Sequence, residues 1–130
     1  MNTEESLTTR LEATVALTTL VASRIYPVEL PEQPTMPAVT YRRIDTPTGH
    51  LLSEARSSWE WPRFQVTSWA TTYAGAKAVN AEVITALDGF KGELGGAGGK
   101  VCWITLLSSY DLPDPVTGRK RVMADFEIWG

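Results

Sequence analysis

The sequence predicts an α+β fold: two helices packed on one face of a mainly antiparallel sheet of about four strands, in the order α-β-β-α-β-β. Three observations carry that reading. Apolar residues recur at helical spacing in "LTTRLEATVALTTLVASRI" and again in "TYAGAKAVNAEVITALDGF". They alternate with polar ones in "AVTYRRI", "RFQVTSW", "VCWITLL" and "RVMADFEIW". Pro, Gly and Ser gather between these stretches, where turns belong. The 130 residues suffice for a single domain, 1–130, that buries about two thirds of its unfolded surface.

The first helix is expected over about Glu4 to Ser23. Leu7, Leu11, Val15, Thr18, Ala22 and Ile25 form its stripe, which Leu17, Leu20 and Val21 widen. Thr3 can cap it, with Glu4 and Glu5 in the positive first turn, and Pro27 lies beyond its end. The prolines at 27, 31, 34 and 37 fix φ and bias the residue before each to extended geometry. They predict a stiff link that crosses an edge of the fold to reach the first strand, residues 38–44.

Residues 45–58 read as a long connection with strand extension possible at either end. A second strand follows at 63–69. The second helix, from Thr72, turns Tyr73, Ala76, Val79, Val83, Ala86, Leu87 and Phe90 to the core. Gly89 and "GELGGAGG" end it and predict a loop before the third strand. The fourth strand alternates Val122, Ala124, Phe126 and Ile128 with Met123, Asp125, Glu127 and Trp129.

Composition narrows the chemistry. Twelve basic against 15 acidic residues give a formal charge of -3, so no global attraction to nucleic acid or anionic lipid is expected. The start lacks the basic region and cleavage site of a signal peptide, which predicts assembly in the cell where the chain is made. Cys102 reads as a small core residue, and with one His and one Cys a structural zinc site within one subunit is excluded. His50 is a loop residue with no acid or hydroxyl at a spacing that makes a triad. Asp45, Asp111 and Asp114 fall in Pro-containing turns, where Asp bonds the local backbone. "GGAGGK" leads from helix to strand with Val101 after Lys100, the reverse of a phosphate-binding loop. Neither catalytic residues nor a cofactor is predicted.

The five tryptophans are more informative. Alternation places Trp69, Trp103 and Trp129 on the sheet face away from the helices, together with Arg63 and Met123, as a shared patch and candidate subunit interface. Sheet twist and loops covering them is the plainer alternative. Loop residues His50, Leu51, Leu52, Trp59, Trp61, Asp114, Arg119 and Lys120 are candidates for docking to partners.

The helix ending in "SRIYP", the passage "LPEQPTMPAVTYRRI", the strand and Ala-rich helix of "RFQVTSWATTYAGAKAVNAEVITAL", and the closing "YDLPDP" and "RVMADFEIW" resemble the tail-terminator and tail-completion (tail-to-head joining) proteins of long-tailed phages. The resemblance spans roughly residues 7 to 129. "SSWEWP" and "GGAGG" have no counterpart in it. It implies a structural virion protein, assembled in the host cytoplasm, that forms a homo-hexameric ring at the head-proximal end of the tail tube. Such a ring stops tube polymerisation, meets the tail tube protein and the head-tail connector proteins, and lets DNA pass its lumen without specific binding; no membrane is involved. Other readings are a head-tail connector, a monomeric adaptor, or a small acylphosphatase-like enzyme, for which the sequence lacks the Arg and Asn of a phosphate cradle.

Overall fold

A computed structural model describes residues 3–45, 48–50, 56–60, 62–94, 100–112 and 118–129. The chain is α+β, with three helices where two are expected and a six-stranded mixed sheet where about four strands are expected.

The opening helix is broken. α1 (Thr3–Ala13) stops at Thr14, whose extended backbone (φ -84, ψ 102) starts α2 (Val15–Val21). Thr14 donates its hydroxyl to the Arg10 carbonyl, and its own carbonyl accepts from Leu17 and Thr18. Thr8, Thr9 and Thr19 bond back to the carbonyl four residues earlier in the same way, which bends and weakens a helix. The break re-phases the apolar stripe: Leu7 and Leu11 are followed inward by Leu17 and Val21, while Val15 is 76 % exposed.

The sheet order is β1-β2-β5-β8-β7-β6. β1 (Ile25–Pro27) runs parallel to β2 (Ala38–Asp45), and β5 (Arg63–Ala70), β8 (Lys120–Trp129), β7 (Lys100–Asp111) and β6 (Lys91–Leu94) follow antiparallel. The parallel first pair explains the proline-rich link. Residues 28–37 must carry the chain from the end of β1 back to the start of β2, and Arg24 anchors that return by donating to the Pro37 carbonyl at 2.8 Å. β1 is too short, and too near Pro27, to read as a strand. β6 lies within the stretch expected as loop; Gly92, at φ +123, adopts a backbone that other residues rarely take.

β3 (Thr48–His50) and β4 (Arg56–Glu60) form a separate two-stranded sheet inside the connection between β2 and β5. α3 (Tyr73–Leu87) is capped by Thr72, whose hydroxyl accepts from the Gly75 amide at 3.1 Å. A Cβ on Gly75 would approach that hydroxyl to 2.9 Å, so the cap requires glycine there.

All three helices cover one face of the sheet. Leu7, Leu11, Leu17, Val21, Val79, Val83 and Leu87 pack on Val39, Phe64, Val66, Ile104, Phe126 and Ile128. Each such side chain, fully buried, contributes about 1.5–3 kcal/mol. Cys102 belongs to this core. Tyr73, expected inside, is 51 % exposed, its hydroxyl bonded to Asp111 at the end of β7. Among the described residues no helix is long and apolar enough to cross a membrane.

Candidate functional site

The face without helices is read from register. Trp103 lies opposite Trp129, and their rings stack with centroids 6.0 Å apart and an interplanar angle of 14°. Trp103 is 43 % exposed and Trp129 half-buried, so the pair is a solvent-facing aromatic plate next to β6.

Trp69 lies on the same face but apart from that plate. It pairs with Arg121 at the opposite end of β8 from Trp129, on the order of 25 Å away at the rise of an extended strand. Its indole N–H donates to Thr40 Oγ1 at 3.0 Å, and the Arg121 guanidinium sits 5.4 Å from its ring centroid. The expected patch of three tryptophans is therefore two aromatic corners. Alternation fixes a residue's face, whereas its position along the sheet depends on register.

Polar groups fill the middle. Gln65, 7 % exposed, accepts from Arg42 Nε at 3.0 Å and donates to the Tyr110 hydroxyl at 2.8 Å and to Asp125 at 3.4 Å. Ser108 completes the network through Asp125. Met123 is buried beneath these side chains, so it forms the floor of the face rather than an outward contact. A groove of about 380 Å³ lined by Val28, Glu29, Arg42, Trp69 and Arg121 opens beside it.

Arg63 is held by a bidentate contact to Asp45, with Nε to Oδ1 at 2.6 Å and Nη2 to Oδ2. Those hydrogen bonds hold the Asp45 carboxyl below its ordinary range and raise the guanidinium. Both side chains remain about 40 % exposed, so the pair positions the exit of β2 and the entry of β5 more than it stabilises the fold.

The sequence reading missed a cluster at the start of α3. The Tyr73 hydroxyl donates to Asp111 Oδ2 at 2.6 Å, Lys77 Nζ lies 2.9 Å from Oδ1, and the same ammonium lies 5.3 Å from the Tyr73 ring centroid. Asp111 is thereby lowered, first by Tyr73 and then by Lys77, and Lys77 is raised. Turn propensity alone explained Asp111 in the sequence; its helix partners become visible only once β7 is extended to that point.

Among the candidate docking residues, His50 and Trp59 belong to β3 and β4, whose backbones alone are described. Leu51, Leu52, Trp61 and Asp114 lie outside the described residues, as do 95–99 of the Gly-rich run. Arg119 is half-buried and engaged with a neighbour, and Lys120 is exposed where β8 begins.

A family model described as "Tail completion protein gp17" matches residues 5–130. The chain belongs to this family. It is a structural component of a phage-type virion tail and not an enzyme. Among solved structures it is similar to a chain of the "Virion of native gene transfer agent (GTA) particle", with a TM-score of 0.76 and 20 % identity over 98 % of this chain and 92 % of that one. At that identity the likeness establishes the fold. No curated protein matches it.

Proposed function

We propose that this tail completion protein forms a ring of identical subunits, a homo-hexamer, on the head-proximal end of the finished tail tube. The ring stops tube polymerisation and offers its outer surface to the head-tail connector, while DNA passes through the lumen. The observation that carries this reading is the stacked, solvent-facing Trp103–Trp129 plate on a sheet face no helix covers. Aromatic side chains so placed are the commonest anchors of protein interfaces. Trp103, Trp129 and Arg63 form one side of the subunit contact, and Trp69 belongs to a second contact at the other end of the sheet. The acidic balance of the chain, -3 overall, suits a lumen that must not hold phosphate.

Electron microscopy of tails assembled without the protein tests this. Tails of uncontrolled length, or tails that fail to join heads, are expected; normal-length, head-attached tails would overturn the reading.

A further inference from the structure

Four stretches of the main sheet's edge are exposed in the described residues, and they differ in how they are guarded; one of them, β2 beyond Tyr41, carries Arg42 and Arg43. β1 has three residues and ends in Pro27. β6 carries exposed Lys91 and Glu93 around Gly92 at φ +123. Short length, proline and charge are devices that keep an edge from pairing.

The second half of β7 is neither short nor interrupted by proline, and its one charge, Asp111, is paired with Lys77 of α3. β6 covers β7 only from Lys100 to Trp103, after which Gly89 and Phe90 bond Ile104, and the Asp88 carboxylate accepts from the Leu106 amide at 3.0 Å. A bulge at Leu107 shifts the register, and from Ser108 to Asp111 the inner side continues on β8, while among the described residues the sheet order leaves no strand outside. Every residue there is exposed, Leu107 at 44 % and Tyr110 at 38 %, and the stretch contains no Pro, Gly or Lys. α3 steadies it from the core side through Asn80 to Ser109 and Tyr73 to Asp111 without covering it.

A second element is set apart from the main sheet. Among the described residues β3 and β4 pair with each other alone, and a two-stranded ribbon by itself is marginally stable in water. This arm leaves the sheet after Asp45 and returns at Arg63, with β5 and β8 between it and the open edge of β7. The two therefore meet between copies and not within one.

We propose that the outer edge of β7, Leu107 to Asp111, accepts the β3–β4 hairpin of a neighbouring copy of this chain as an added strand. The proposal rests on the self-association argued above and adds a strand contact between the same copies. Main-chain hydrogen bonds supply the affinity, and Leu107 and Tyr110 offer exposed apolar surface for cross-strand contacts. Donor and acceptor are different surfaces, so the contact is heterologous, the type that builds a ring when its rotation closes.

Cysteine cross-linking in purified tails tests it. Chains carrying Ser57→Cys or Ser58→Cys together with Ser108→Cys or Ser109→Cys should give a ladder of disulfide-linked multimers, and each single variant should give none. Leu107→Lys, at an exposed site, and replacement of residues 48–60 by a Gly-Ser link should each lower self-association about tenfold or more while the circular dichroism melt of the subunit is retained. A ring of several copies that yields no cross-links and tolerates both changes overturns this proposal alone. Cross-links to a different tail or head protein overturn it in favour of another occupant. A single copy per tail overturns the ring reading, and this proposal with it.

Discussion

Trp103 and Trp129 face each other across β7 and β8 with their rings nearly parallel, 6.0 Å between centroids. The pair is anchored by register on one side and open to solvent on the other, so its two roles separate by mutation. Trp103→Ala removes an aromatic contact worth about 0.5–1.5 kcal/mol within the subunit, which leaves the helix-side core intact. If the plate is an interface anchor, the same change costs about 2 kcal/mol or more per contact, roughly thirtyfold in association. The expected result is a folded subunit by circular dichroism and a lower mass by light scattering. Unfolding would place the tryptophan in the core, and unchanged assembly would make it ordinary surface.

The break at Thr14 predicts an asymmetry between two neighbouring apolar residues. Leu17 is wholly buried and Val15 is 76 % exposed, although a continuous helix would turn Val15 inward with Leu11. Leu17→Ala should cost about 2–5 kcal/mol in urea denaturation, and Val15→Ala less than about 0.5 kcal/mol. Equal losses would mean that the helix runs unbroken through Thr14.

That asymmetry marks where the sequence was legible and where it was not. Periodicity found both helical regions, the strand cores and the helix-free face of Trp69, Trp103 and Trp129, because those follow from spacing alone. It missed the Thr14 break, since threonines that bond back to the helix are read as helix positions. It missed β1 and β6, whose pairing is decided by neighbours far along the chain and whose residues, Pro27 and Gly92, argue locally against strands. The three tryptophans separated into two corners for the same reason: register belongs to tertiary structure. The buried Gln65 network was hidden because a Gln in a strand carries no sign that Arg42, Tyr110 and Asp125 converge on it.

Ser68 is a cost the fold carries. Its hydroxyl is fully buried and has no hydrogen-bond partner among the described residues, and the same holds for the side-chain oxygen of Asn80. An unsatisfied buried polar group costs about 1–3 kcal/mol. Ser68→Ala, which removes the hydroxyl and leaves the methyl-sized volume, should therefore hold or raise the urea midpoint. A loss of about 1 kcal/mol or more would show that a buried water satisfies the hydroxyl.

The cluster of Tyr73, Lys77 and Asp111 sets a pH dependence with a definite sign. Asp111 is lowered below its ordinary 3.8 by the Tyr73 hydrogen bond and then by Lys77, so its contribution is present above that value and is lost as pH falls through the lowered one. Lys77 is raised above its ordinary 10.5 by Asp111 and then Tyr73, so its contribution is present below that value and is lost as pH rises through the raised one. Between these limits the cluster holds the end of β7 against the start of α3. The groups are exposed, so the effect is on the ordering of this corner more than on global stability. Tyr73→Phe removes the first cause of the Asp111 shift while keeping the ring under Lys77. The Asp111 carboxyl should then titrate closer to 3.8 by carbon-detected NMR, and exchange of the amides at 109–111 should quicken at neutral pH. An unmoved Asp111 titration would mean that Lys77 alone sets it and that the tyrosine hydroxyl contributes nothing to fixing this end of the strand.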